Sequence, residues 1–228
     1  MKPLLPLLLS LFPLAASAGQ LTDTETRWLQ AGAPVLAYAK QELKLPIDIV
    51  VQPETGPNDV PLAMGFADGR CKLVLTLRNN PQADEQLDNV APSLRRAVIE
   101  AMTAHEVGHC YRYAHGTWHA LPAGFVEAAR ESAATPELAE LSRQLRDTRR
   151  EEGFADLVAL AWTQRSNSAQ YQQVYGWLMA VRQPVAHGSH NTRAWLALAA
   201  RDAVFDSAHN PFEQARVLWG KGLLKDEQ

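Results

Sequence analysis

The sequence predicts an α+β fold, in which a small N-terminal β-meander precedes a mainly helical remainder. Two observations lead to this class. Three short runs with strand character are confined to residues 46–77, and from residue 93 onward the apolar residues recur with helical spacing. A histidine pair within the first of these later helices adds a candidate metal site to the helical part.

The first eighteen residues have a composition of their own. Lys2 precedes an apolar run that ends in the small-x-small sequence Ala16-Ser17-Ala18, which is typical of a secretory signal peptide. We therefore expect residues 1–18 to be removed and residues 19–228 to form a single domain. The run is short and contains prolines, so we expect a periplasmic or secreted protein without stable membrane insertion.

The charge balance excludes one class of partner. The chain has 22 basic and 25 acidic residues and a net charge of −3, with no basic run. This pattern does not favour binding to nucleic acid, and it leaves the oligomeric state unspecified.

Only two cysteines occur, Cys71 and Cys110, and both follow the signal peptide. In an oxidising compartment an even pair predicts a disulfide bond. Two buried free thiols are the alternative.

The strand block begins after a first helix, expected at residues 22–43 with Pro34 as a candidate break. The expected strands are residues 46–51, which are β-branched, residues 62–67, and residues 71–77, which alternate with a period of two. Asp68-Gly69 is a hairpin turn signal between the second and third strands.

The remaining segments predict helices. These are the motif helix from Pro92 or Ser93 to Ala114, a charged helix at 137–150, an apolar helix at 151–163, helices at 169–182 and 192–205 with Asn191 as N-cap, and a short helix after Pro211.

The motif helix contains the H-E-x-x-H sequence His105-Glu106-Val107-Gly108-His109. His105 and His109 are four residues apart and share one helix face, where two imidazoles can bind one Zn²⁺. Glu106 can act on a metal-bound water without being a ligand. The alternative is a solvated helix with two histidines by chance, but His105 continues an apolar stripe and is expected to face inward.

A catalytic zinc site needs a third protein ligand. His115 follows His109 by six residues, the spacing of the H-E-x-x-H-x-x-G-x-x-H pattern. That pattern needs glycine at position 112, where this chain has Arg112. On an unbroken helix His115 would lie about 120° from the ligand face, which disfavours it.

The other candidates open the apolar helix at residue 151. Glu152 and Asp156 are four residues apart on one face, and buried carboxylates need partners. A metal for one and a histidine N–H for the other would satisfy both. The helix macrodipole explains Glu151 better than the other two acids, so we favour Glu152 as the third ligand over Glu151 and His115.

The H-E-x-x-H sequence followed by a helix with E-x-x-x-D resembles the gluzincin group of the zincin metallopeptidases, over roughly residues 47–163. The resemblance implies a zincin-like fold in which His105, His109 and Glu152 bind one Zn²⁺. It also implies that Glu106 is the general base and acid and that Asp156 is the carboxylate partner of His105.

The resemblance further suggests that residues 71–77 form an edge strand that pairs with extended substrate; an ordinary half-buried strand is the alternative. His187, His190 and Arg193 are candidate donors to the oxyanion of the tetrahedral intermediate. We favour His190, which directly precedes Asn191.

The expected function is that of an exported zinc metallopeptidase, an endopeptidase that hydrolyses peptide or protein substrates. The first alternative is a non-catalytic zincin-like zinc-binding or scaffold protein of the cell envelope. The second is a purely structural zinc site.

Overall fold

A computed structural model describes residues 20–127, 134–182 and 188–226. The expected signal peptide, residues 1–18, lies outside these ranges. The elements in chain order are α1 (Asp23–Gln41), β1 (Ile47–Val51), β2 (Leu62–Ala67), β3 (Arg70–Leu75), α2 (Pro81–Asp88), α3 (Arg95–Ala114), α4 (Pro136–Ser166), α5 (Tyr171–Val181), α6 (Arg193–Leu196) and α7 (Pro211–Asp226). The α+β class is confirmed, with strands early and helices thereafter.

The sheet is not a meander, which corrects the predicted topology. Its strand order is β1-β3-β2, with β3 parallel to β1 and antiparallel to β2. The predicted hairpin turn joins β2 to β3, and both Asp68 (φ 54°) and Gly69 (φ 70°) adopt the left-handed conformation that such turns need. Because β2 occupies one side of β3, β1 pairs with the other side.

The prediction that the third strand lies at an edge of the sheet is therefore wrong. β3 has a partner on each side, whereas β2 pairs with β3 alone among the described residues. Leu62, Met64 and Phe66 of β2 line a cavity that α3 also borders. The edge strand beside the histidine helix is β2.

A disulfide joins Cys71 of β3 to Cys110 of α3, as the cysteine count predicted. Both side chains are fully buried, and their Cα atoms are 5.7 Å apart. The bond therefore links the central strand covalently to the helix that bears both histidines, one residue beyond His109.

α4 is one continuous helix of 31 residues, where two helices were predicted. Thr135 caps it by accepting a hydrogen bond from the Leu138 amide. No glycine or proline interrupts it at residues 150–151, and the change from a charged to an apolar composition there marks where the helix enters the core.

Two further differences come from local and tertiary contacts. α2 was not predicted, although Asn80 caps it through the Gln82 amide and proline fills its first position. The helix predicted at 192–205 is shortened to α6 and followed by 3₁₀ turns. The indole of Trp195 packs against Gly153 and Gly222, where a side chain would collide with its ring.

None of the helices in the described part of the chain combines the length and apolar character that a membrane crossing requires.

Candidate metal centre

The site lies where α3 and α4 cross. Gly108 faces α4, and a β-carbon there would lie 3.1 Å from the Cα of Ala155. The missing side chain lets the two helix backbones approach closely, which brings the acids of α4 within reach of the imidazoles of α3.

Three side chains converge at this crossing. The Nε2 atoms of His105 and His109 are 3.1 Å apart. Each also lies 3.4 Å from an oxygen of Glu152, Oε2 for His105 and Oε1 for His109. The ligands that the sequence favoured are thus brought together. Their side chains are largely buried, with exposures of 12% for His105, 10% for His109 and 11% for Glu152.

This group could hold a metal ion. Ligands at about 2.0–2.1 Å in a tetrahedron are separated from one another by about 3.3–3.4 Å. The two Nε2 atoms are 3.1 Å apart and each lies 3.4 Å from a different oxygen of Glu152, and one ligand atom from each residue lies within 4.8 Å of the others. The buried Nδ1 of His109 has no hydrogen-bond partner in the described structure, so the polar contacts of this ring are made by its Nε2 atom.

Asp156 contacts the ring nitrogen of His105 that points away from the cluster. Its Oδ1 lies 2.9 Å from the Nδ1 of His105, which leaves the Nε2 lone pair directed at the cluster when Nδ1 carries the hydrogen. The Arg182 guanidinium donates to both oxygens of Asp156, at 2.8 and 2.9 Å, and Thr192 donates its hydroxyl at 2.6 Å. Asp156 is fully buried, and four hydrogen bonds satisfy its carboxylate.

The local electrostatics favour a cation at the crossing. Burial lowers the pKa of His105, but the charge of Glu152 and the hydrogen bond to Asp156 outweigh it and raise that pKa to about 10. Burial raises the pKa of Glu152, yet the two histidines hold it well below its usual range. Burial likewise raises the pKa of Asp156, but Arg182 and His105 outweigh this effect and lower that pKa to about 2.

The cluster opens into a cavity of about 400 Å³. Glu106 lines it beside both histidines, and burial raises the pKa of this carboxyl above its usual value. The remaining walls are mostly apolar and include Met102, Trp118 and Trp177. The lining also includes polar side chains outside the cluster, among them Gln86, Thr148 and Arg182.

The three candidate oxyanion donors differ in position. His190 borders the cavity, with Nε2 3.7 Å from Oε2 of Glu152 and its side chain 62% exposed. Arg193 is exposed and is not among the described residues that line the cavity. His187 lies outside the described residues.

Other sequence expectations around the site can be placed as well. His115 is exposed at the end of α3, with Nδ1 2.8 Å from the Tyr111 carbonyl oxygen, and it does not join the cluster. Glu151 pairs with Arg112 instead of the histidines. The predicted cap at Asn191 is wrong: Thr192 occupies the N-cap position of α6, and its hydroxyl is directed to Asp156.

Sequence reasoning missed Arg182 and Thr192. A basic residue at the end of a predicted helix is ordinarily assigned to the helix dipole, and a threonine at a helix start is ordinarily assigned to capping. Nothing in the local sequence connects either residue to Asp156, which precedes them by 26 and 36 positions.

Compared with known protein families, with curated protein sequences and with solved structures, the chain matches none.

Proposed function

We propose that this chain is an exported, zinc-dependent metallopeptidase of the gluzincin type, with a zincin-like fold. The observation that carries the proposal is the convergence of His105, His109 and Glu152, whose ligand atoms lie within 4.8 Å of one another, with Glu106 beside them on a cavity. Two imidazoles and a carboxylate form a donor set that suits zinc and leaves a fourth position for water. The disulfide fits an oxidising compartment outside the cytoplasm.

When bound, zinc would activate a water molecule and polarise the scissile carbonyl. Glu106 accepts the proton of the attacking water and returns it to the leaving amine. Its buried position raises its pKa, which strengthens it as a base and makes the protonated form a usable acid. Glu106 is not a member of the ligand cluster and stays available for this transfer.

The surrounding residues position these groups. Asp156 keeps the His105 ring in place, and Arg182 bridges Asp156 and Glu152, donating to the latter at 3.0 Å. His190 supplies a hydrogen bond to the developing oxyanion from the mouth of the cavity. An extended peptide would pair with the edge strand β2, which places its carbonyl near the cluster and is compatible with cleavage within a chain.

The test is Glu106→Gln, which preserves size and removes the basic carboxylate. We expect the variant to retain one zinc per chain, measured by metal analysis, and to lose essentially all hydrolysis of casein or a peptide library. The matched control is His115→Ala on the same helix, which should keep both zinc and activity. Unchanged turnover in the glutamine variant would defeat the proposal, and wild-type protein that binds zinc without any hydrolysis would favour the non-catalytic zinc-binding role.

A further inference from the structure

Arg112 stands where the H-E-x-x-H-x-x-G-x-x-H pattern has the glycine that would let the helix end and bring His115 to the metal. Its side chain is buried, with residue exposure of 4%. Nε donates to Glu151 at 2.6 Å, and Nη2 donates to the carbonyl oxygens of Thr117 at 2.7 Å and Ala120 at 2.8 Å. The guanidinium therefore ties α4 and the segment of residues 117–120, which we call the 117–120 loop, to the end of α3.

Glu151 holds the same loop from α4. Its Oε1 accepts hydrogen bonds from Arg112 Nη2 at 3.0 Å and from the His119 amide at 2.7 Å. His119 has a φ of 58°, in the left-handed region that non-glycine residues adopt only when their surroundings impose it. The buried pair therefore supports the loop conformation in addition to the turn hydrogen bond from the Ala120 amide to the Thr117 carbonyl oxygen.

The residue held between these contacts is Trp118. Its ring centroid lies 5.7 Å from that of the ligand His109 and 5.3 Å from that of Phe66 on β2, edge-on in both cases. Trp118 also lines the cavity. The indole therefore forms the wall of the cavity on the His109 side, between the ligand and the edge strand.

We propose that the buried Arg112–Glu151 pair is a positioning device that fixes Trp118 over His109, and that Trp118 thereby controls access to the metal on that side. Access means the passage of water, chelators and substrate side chains to the ion. The inference rests on the metal site of the proposed function but not on peptide hydrolysis. The apolar surroundings of a metal site set its solvent access, so displacing the indole opens a path to the ion.

The first experiment measures how fast excess dipicolinate removes zinc from the loaded protein. We expect Trp118→Ala to release zinc about tenfold faster than wild type, since the ligand it covers becomes accessible. The matched control is Trp177→Ala, which removes an indole from the same cavity without a ring contact to either ligand histidine in the described structure. Equal acceleration in both variants, or in neither, would overturn the access role.

The second experiment separates positioning from stability. Arg112→Met combined with Glu151→Met removes both charges, so neither is left buried alone, and the fold should persist by circular dichroism. This double variant should release zinc as fast as Trp118→Ala, and adding Trp118→Ala to it should give no further acceleration. Additive effects of the two changes would mean that the pair does not act through Trp118.

A third measurement needs no metal. Amide hydrogen exchange in the metal-free double variant should be faster at His119 and Ala120 than in metal-free wild type, with α1 unchanged. Unaltered exchange in the 117–120 loop would show that the pair does not hold it. Wild-type protein that bound no zinc would overturn the proposed function together with the access role, whereas normal zinc content with unaltered release would overturn the access role alone.

Discussion

Glu151 and Glu152 are neighbours on one helix, and their residue exposures are similarly low, at 1% and 9%. Their partners differ. Glu151 faces the Arg112 guanidinium and the His119 amide, all hydrogen-bond donors, whereas Glu152 faces the Nε2 atoms of two histidines. Successive helical residues point about 100° apart, so two adjacent acids serve two different sites. Glu152 is the acid that lies beside both imidazoles and could hold a metal ion with them, although Arg182 also donates to it at 3.0 Å.

The largest effect that would test this contrast is a loss of stability when the ion pair between Glu151 and Arg112 is broken. Glu151→Gln should lower the free energy of unfolding by about 3 kcal/mol, because it leaves a buried guanidinium without its counter-charge. Urea unfolding measures the change, and zinc content should stay at the wild-type level. Glu140→Gln is the matched control, since it breaks an exposed ion pair with Arg143 on the same helix and should lower the free energy of unfolding far less. Equal losses in the two variants would remove the distinction.

For zinc affinity, in contrast to stability, we expect the substitution of Glu152 to have the larger effect of the two. Glu152→Ala should weaken zinc binding by at least ~100-fold, since one of three protein ligands is lost. Competition with a chromophoric chelator measures the affinity. Glu151→Gln serves as the comparison in the same assay. If Glu151→Gln lost zinc and Glu152→Ala retained it, the third ligand would be Glu151 and the assignment of Glu152 would be wrong.

Asp156 acts on the candidate metal site through its contact with the Nδ1 atom of His105. Asp156→Asn should lower zinc affinity by about 10–100-fold, because the amide orients His105 less strongly and leaves Arg182 paired with Glu152 alone. The same chelator competition reads out the change. Asp48→Asn, which alters an exposed carboxylate on β1, should leave the affinity unaltered. An Asp156→Asn protein with wild-type affinity would exclude an orienting role.

The smallest expected effect is the dependence of zinc affinity on pH. The pKa of His105 in the metal-free protein, about 10, lies above its ordinary value of 6.5, so the ring is protonated at pH 7 and must lose that proton to bind a metal. We therefore expect zinc binding at pH 7 to release about one proton from this ring and the affinity to rise by up to about tenfold per pH unit from pH 7 to 9. Calorimetry in buffers of different ionisation enthalpy detects the release. A heat that is independent of buffer would contradict it.

Sequence reasoning predicted much of the local structure because local patterns determine it. The helix spacing of His105 and His109, the turn at Asp68-Gly69 and the cysteine pair each depend on neighbours in the chain or on a simple count. The order of strands was not accessible in this way. β1 pairs in parallel with β3 through a crossover, and the alternation within a strand does not specify its neighbours.

The site shows the same limit. A shared helix face brought Glu152 and Asp156 together in the prediction, and the excess of acids in an apolar helix singled them out. Arg182 and Thr192 come from elements that meet α4 only after folding, so their hydrogen bonds to Asp156 have no local signature. Arg112 was noticed only as a departure from a glycine, although its contacts shape the cavity wall.

The disulfide between the central strand and α3 has a consequence for how the ion is acquired. It closes a loop of 39 residues, and the chain-entropy relation assigns such a closure about 4 kcal/mol of stabilisation. Together with the close helix crossing at Gly108, this bond restrains the helix that bears both histidines by means other than a metal ion. We therefore expect that removing a bound ion with a chelator leaves a folded chain that can be reloaded.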